Sequence, residues 1–328
     1  MIKFLVKRLF QNMVILFFVG LIVYSLMRFL PSSYLENKAR TMAAQPGAES
    51  YKELLEQLNA TYGLDFGIGT GYFHWLINAL QGNWGTSWQW NKPVIEKFNE
   101  VIRYSVALSV SAFLLEILIA VPTGIVAAKK QHSKLDHVIT LIALISISLP
   151  AFLFAMILKY IFALKLKWFE LYGIAGRMHE QYSPFRQFLD TAGHMILPVI
   201  TLTISSNGNL LRHVKTNMLE ALNADFIRTA RAKGLPESKV MIRHAFRGIL
   251  TPLITLTGSC LPGLMGGSFI IETIFQIPGI GYTAYQAIIN GDIPFSMFYV
   301  MMLAVSVITG NLIADILYAA TDPRIRIQ

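Results

Sequence analysis

Residues able to make or break covalent bonds are sparse in this chain and poorly spaced for it. Seven histidines and 19 carboxylates are present, yet His179-Glu180 lacks the second histidine four residues on that a zinc-protease helix requires. No G-x-S-x-G turn offers a serine nucleophile, and Gly-Lys, the core of a phosphate-cradling loop, does not occur. Cys260 is the single cysteine, which excludes an intrachain disulfide and any multi-cysteine metal site. The spacing predicts no catalytic set and no metal centre. What remains is polar chemistry of recognition and pairing. It comprises a basic stretch around Arg228, Arg231 and Lys233, the isolated charges Glu116 and Asp315, Glu272, and the amides Asn207, Asn209 and Asn311.

The elements that carry those residues give them meaning. The chain has 328 residues, 54% of them hydrophobic and only 14% charged. Six stretches are long and apolar enough to cross a bilayer: 10–30, 104–127, 138–162, 193–211, 249–271 and 295–320. Within these 138 residues the only charges are Arg28, Glu116, Lys159 and Asp315, and the other 43 of 47 lie in the connecting segments. The sequence therefore predicts an all-α polytopic membrane protein of six transmembrane helices.

The net charge of +9 resolves along the same lines. With the N-terminus inside, segments 1–9, 128–137, 212–248 and 321–328 hold 16 Lys/Arg against 5 Asp/Glu, while 31–103, 163–192 and 272–294 hold 10 against 12. The positive-inside bias places both termini in the cytoplasm of a cell-membrane protein. The basic excess reads as topology and contact with membrane lipids, and no nucleic-acid-binding motif is present.

The first span, 1–30, reads as a retained anchor, since its apolar stretch exceeds the h-region of a signal peptide. An extracytoplasmic segment, 31–103, follows. It holds an amphipathic helix around Ser50–Asn59, with Leu54, Leu55 and Leu58 on one side, and Trp75, Trp84, Trp88 and Trp90. Two readings of the tryptophans stay open: a docking surface for an external partner, or an aromatic belt at the membrane interface. Prolines 122, 150, 198, 252 and 262 fall within spans, where each removes a backbone hydrogen bond and predicts a kink. The intramembrane charges, each costing about 2.5–3.5 kcal/mol on insertion scales, need reasons. Asn311 and Asp315, spaced i, i+4, read as a structural polar pair, whereas Arg28 and Lys159 sit near span ends and can snorkel. Glu116 faces either the cavity or a partner. The run Asn207-Gly208-Asn209 either lines a path or permits close helix packing.

Between the fourth and fifth spans, Leu219, Leu222, Phe226 and Ala230 recur at helical spacing. Gly234 suits a helix C-terminus and Pro236 the start of another. The segment predicts a helix–turn–helix with one apolar side that must dock on lipid or a protein. Here "DFIRTARAKGLPESKVMIRHAFRGILTPLI" (Asp225–Ile254) resembles the cytoplasmic loop of ABC-importer permeases of the oligopeptide/dipeptide subfamily. The resemblance extends to "GNWGTSWQWNKPV" (Gly82–Val94), "SLPAF" (Ser148–Phe152), "GGSFIIETIFQIPGIG" (Gly266–Gly281) and "NLIADILYAATDPRIR" (Asn311–Arg326). "RFLPSS" (Arg28–Ser33) departs from the acidic turn usual there, and the segment after it is longer.

The resemblance implies a type I importer fold whose permease core, 104–328, carries a coupling loop at 212–248. It implies a second homologous permease, two cytoplasmic ATPase subunits and an extracytoplasmic solute-binding protein as partners. This chain would bind no cofactor itself, ATP and Mg residing on the ATPases. The ATPase-coupling residues it implies are Asp225, Phe226, Arg228, Thr229, Ala230, Arg231, Ala232, Lys233, Gly234 and Leu235. Glu116, Asn207, Asn209 and Glu272 are candidates for the pathway or a gate, Glu272 through its match to a glutamate of the family motif. The implied cargo is oligopeptides or dipeptides, with nickel, oligosaccharides or peptide antibiotics as alternatives. An autonomous secondary transporter or channel is the reading from another class, and the absence of a strong internal repeat opposes it.

Overall fold

The computed structural model describes residues 2–29, 33–45, 49–61, 66–250, 253 and 261–321. Helices dominate: α1 (Ile2–Phe29), α2 (Ser33–Ala43), α3 (Tyr51–Thr61), α4 (Ile68–Leu80), α5 (Val94–Lys129), α6 (Lys134–Ser148), α7 (Ala151–Leu158) and α8 (Pro184–Asn223). They continue with α9 (Asp225–Ala232), α10 (Glu237–Lys239), α11 (Leu261–Gly266), α12 (Phe269–Phe275), α13 (Ile280–Ile289) and α14 (Ile293–Thr321). The wider π-turns Lys159–Lys165 and Val240–Ala245 extend α7 and α10. Among the described residues, α1, α5, α8 and α14 are each long and apolar enough to cross a membrane. The pair α6–α7 makes a fifth crossing if its two halves count as one.

Local chemistry explains the boundaries. Ser133 caps α6 by accepting a hydrogen bond from the Asp136 N–H at 3.2 Å, and α6 stops at Ser148 because the residue before Pro150 is driven to extended geometry. The expected single span 138–162 is instead two helices bent by 103° at Leu149–Pro150. Pro122 and Pro198 lie inside continuous helices, and α8 runs over 40 residues where a 19-residue span was expected. Of the expected span 249–271, residues 251–252, with Pro252, and 254–260, with Cys260, lie outside the described residues. Its remainder breaks at Gly267 (φ +73°) and Ser268 between α11 and α12. The amphipathic helix predicted at Ser50–Asn59 is α3, with Leu54 and Leu58 buried. Its start is a capping box, in which Ser50 N–H donates to Glu53 and Glu53 N–H to Ser50 Oγ.

The chain forms two compact units: Met1–Arg103 with Ile280–Thr309, and Tyr104–Gly279 with Gly310–Arg326. In the first, Tyr72 of α4 is fully buried against α1, its Oη donating to the Phe17 carbonyl at 2.7 Å. The tryptophans serve this unit from within. Trp88 is buried with Leu35, Leu54 and Leu58, Trp84 packs edge-on to Phe298, and Trp90 packs edge-on to Phe295. Trp88 is buried in this unit, and Trp75, Trp84 and Trp90 are half-buried. Asp292, at the start of α14, ties the 87–89 loop down by accepting from Ser87 Oγ, Gln89 N–H at 3.1 Å and Phe295 N–H at 3.3 Å.

Burial pushes the Asp292 carboxyl above its ordinary 3.8, against the opposing pull of those hydrogen bonds. The folded state thus holds this proton more tightly than the unfolded chain. The contribution to stability is complete below pH 3.8 and is lost as pH rises through the raised folded value. Thermal unfolding of the detergent-solubilised protein should show that loss with rising pH, and Asp292→Asn should remove it. An identical pH slope in the variant would refute the assignment.

In the second unit α6 and α8 pack closely. A Cβ on Gly208 would lie 2.4 Å from the Ala143 carbonyl oxygen, so only glycine permits the approach. Nearby, Lys215 Nζ contacts Asp136 Oδ1 at 2.5 Å and Thr140 Oγ1 at 3.0 Å, a largely buried tie between the same helices. A second tie gathers α12. Lys159, expected to snorkel, donates to the Ile274 carbonyl and lies 3.9 Å from the Tyr172 ring centroid. It places a cation at a helix C-terminus, where the backbone dipole favours one.

Candidate functional site

The strongest candidate site grows from the end of α8. At Ala224 the backbone turns extended (φ −73°, ψ 152°) for one residue, and α9 starts again at Asp225. This break resets the helical phase, so the apolar series Leu219, Leu222, Phe226, Ala230 does not form one stripe. Leu219 and Leu222 pack inward from α8, whereas α9 buries Ile227 and Ala230. They join Ala128, Val214, Met218, Val240, Met241, Ala245 and Ile249 in one cluster. Phe226, expected on the apolar side, is turned outward and is 51% exposed.

The turn after α9 follows from Gly234. Its φ of +72° is the left-handed region that side chains avoid. Gly234 N–H donates to the Arg231 carbonyl at 2.9 Å and Leu235 N–H to the Ala230 carbonyl at 3.4 Å, the paired closure that ends a helix on glycine. Arg231 braces the far side, its Nε and Nη2 donating to Glu237 at 3.2 and 2.7 Å. That guanidinium holds the Glu237 carboxyl below the usual range. Sequence reading assigned Arg231 to a partner and missed its fork to Glu237, which spans the turn at six residues and so falls outside the i, i+4 rule.

The result is a short rigid helix held from below and open above. Asp225, Phe226, Arg228, Thr229, Arg231, Ala232, Lys233 and Gly234 are exposed, while Leu235 is half-buried. Phe226 and Arg228, about 200° apart around the helix axis, leave exposed side chains on two different flanks of a braced helix.

The pathway candidates do not converge. Glu116 is half-buried beside Ser206. Asn207 lines a largely apolar cavity of about 330 Å3 with Ile119, Ile142 and Phe154, and its buried Nδ2 has no hydrogen-bond partner among the described residues. Asn209 is exposed. Glu272 is fully buried, accepting from Ser105 Oγ at 2.7 Å and Ser268 N–H at 3.1 Å. Ser105 precedes Glu116 by eleven residues on α5, about 16 Å of helix axis, so Glu272 sits at a different level from Glu116. Ser105, which donates to Glu272, gave no sequence signal, because the pairing spans 167 residues. Asn311 is exposed on α14, and the side chain of Asp315 lies outside the described residues.

Comparison with known proteins bears on these elements. The profile described as "Binding-protein-dependent transport system inner membrane component" matches residues 120–327, and that of its N-terminal companion matches residues 1–100. The oligopeptide transport system permease protein AppB of Bacillus subtilis is 33% identical over 326 residues, covering 99% of both chains. The oligopeptide transport system permease protein OppB of Haemophilus influenzae is 32% identical over 327 residues, 99% of this chain and 100% of that one. The nickel import system permease protein NikB of Staphylococcus aureus is 31% identical over 330 residues, 100% of this chain and 93% of that one.

Proposed function

The chain belongs to the family of binding-protein-dependent transport system inner membrane components, and from that premise we propose that it is one of two permease subunits of an ATP-driven peptide importer. It spans the inner membrane six times with both termini in the cytoplasm, the basic segment 212–248 lying on that side. The observation that carries the reading is α9. A helix whose inner side is locked by Ile227 and Ala230, and which leaves Phe226 and Arg228 exposed on its two flanks, is suited to being pushed. A cytoplasmic ATPase engages that face, and its closure on ATP moves α9 and switches the bundle between inward- and outward-facing states. This chain carries no phosphate-loop motif and leaves hydrolysis, with ATP and Mg, to the ATPase. A solute-binding protein delivers the cargo.

Peptides are favoured because the relatives at 32–33% identity are oligopeptide permeases. The test is purification from the native membrane. The expected result is a complex with a second permease and ATPase subunits, stimulated by peptide-loaded binding protein. Stimulation by nickel-loaded binding protein alone would transfer the cargo assignment. Ion-driven transport by this chain alone in liposomes would overturn the whole reading.

A further inference from the structure

The coupling reading leaves unexplained the outward side of α4. Its 13 residues include no Asp, Glu, Lys or Arg, whereas α2 and α3 before it and the start of α5 after it carry charges of both signs. Gly71, Tyr72 and Ala79 form its buried side. Phe73, Ile77 and Leu80 are 54%, 53% and 80% exposed. They fall within about 60° of one another around the helix axis. Thr70, His74 and Asn78, also exposed, occupy the adjoining sector. The exposed surface is thus divided lengthwise into an apolar flank and a polar one.

Depth identifies what covers the apolar flank. Arg28, in the last turn of α1, donates from Nη2 to the Phe66 carbonyl at 2.8 Å, so the chain approaches α4 level with that end of the membrane-crossing helix. From there α4 descends along α1. A Cβ on Gly71 would collide with Tyr24 Oη, and one on Gly20 would lie 2.8 Å from Tyr72 Oη. Tyr72 reaches the Phe17 carbonyl, and the Phe73 ring packs 6.1 Å from the Phe17 ring, itself edge-on to the exposed Phe18. Phe17 stands eleven residues from Arg28, about 16 Å of helix axis, roughly half of a 30 Å hydrocarbon layer. The chain then leaves on the side from which it came. α14 descends α1 in the same sense, since Met297 is buried with Tyr24 and Tyr72, and Met301 Sδ would lie 3.4 Å from a Cβ on Gly20. Its start, where Asp292 holds the 87–89 loop that follows α4, is therefore at the Arg28 end.

We propose that α4 is a re-entrant helix that dips into the bilayer from the Arg28 end of α1, with Phe73, Ile77 and Leu80 against lipid acyl chains. A helix of 10–14 apolar residues is too short to cross and suits this place. The apolar flank continues the lipid-facing surface of α1 through Phe73, Phe17 and Phe18, and the polar flank meets the headgroups. In the orientation proposed above, this is the outer leaflet. The inference needs α1 to cross the membrane and is independent of the cargo and of coupling at α9.

The test uses the full-length protein carrying Cys260→Ala, purified with its copurifying subunits and reconstituted into liposomes of phosphatidylethanolamine and phosphatidylcholine. Nitroxide labels are attached in the single variants Ile77→Cys and Leu80→Cys, both at exposed positions. Phe18→Cys on α1 is the lipid reference, and Glu56→Cys, exposed on α3, is the aqueous one. Power-saturation spin resonance reads collisions with oxygen, which concentrates among acyl chains, and with chromium oxalate, which stays in water. The oxygen-to-chelate ratio at 77 and 80 should match that at 18 and exceed that at 56 severalfold. A ratio at either site equal to that at 56 would overturn the proposal. Shielding of both sites from both relaxants would overturn it in favour of a protein covering the flank. An aqueous ratio at 18 would overturn the placement of α1, and the proposal with it.

Discussion

Gly234→Val should abolish stimulation of the partner ATPase by loaded binding protein while the protein still inserts and assembles. The residue sits at φ +72° with no described residue within 4 Å of the place a Cβ would occupy, so the expected effect is one of backbone conformation. A left-handed residue with a side chain costs about 1–2 kcal/mol, more for a β-branched one. Because α9 has only eight residues, the cheapest escape is to unwind its last turn. That would break the closures onto the Arg231 and Ala230 carbonyls and pull Arg231 away from Glu237. The exposed side chains of Phe226 and Arg228 would lose their fixed aim. Gly234→Asn, a residue that tolerates this region, should keep most of the coupling. Equal ATPase stimulation in wild type and Gly234→Val would show that the turn does not position α9 for a partner.

The second large effect lies at Gly279. A Cβ there would fall 2.4 Å from Ser105 Oγ and 2.5 Å from Glu272 Cδ. Side-chain atoms can normally retreat, but these are pinned. Glu272 is fully exhausted of solvent contact and fixed by Ser105 Oγ and Ser268 N–H. Gly279→Val therefore forces a buried carboxylate off its donors, and each buried donor left unmet costs about 1–3 kcal/mol. The expected outcome is a fall in melting temperature of several degrees and loss of the detergent-purified protein at physiological temperature. Ser105→Ala removes one donor without the clash and should cost less. If Gly279→Val melts with the wild type, Glu272 is not the pinned group described.

Much of this was legible from the residues. Charge excluded from long apolar runs predicted the membrane helices. Gly234 followed by Pro236 marked the turn, and Ser50 with Glu53 marked the start of α3. The misses share one cause, the limit of local pattern. The phase of α9 was misjudged because a single extended residue, Ala224, restarted the helical count and sent Phe226 outward in place of Ile227. The bend at Pro150 was placed but not sized, since a proline shows where a helix yields and its neighbours decide by how much. For the tryptophans, read as a docking surface or a membrane belt, the packing partners were not legible. Their partners Leu54, Phe295 and Phe298 lie 34 to 214 residues away, and only the folded chain brings them together. Glu272 was singled out, yet its donor Ser105, 167 residues away, carried no mark of its own.

The close contact at Gly208 has a mechanical consequence. α8 is one continuous rod that begins to move, in the coupling reading, at its Ala224 end. Gly208 lets that rod approach the Ala143 backbone of α6, and in the coupling reading this contact would serve as a fulcrum. The driven arm, from Ala224 to Gly208, is 16 residues, about 24 Å. The working arm, from Gly208 to the backbone weak point at buried Pro198, is 10 residues, about 15 Å. A stroke at the driven end thus arrives at Pro198 shortened about 1.6-fold and correspondingly strengthened. In that reading the lever would be geared for force over travel.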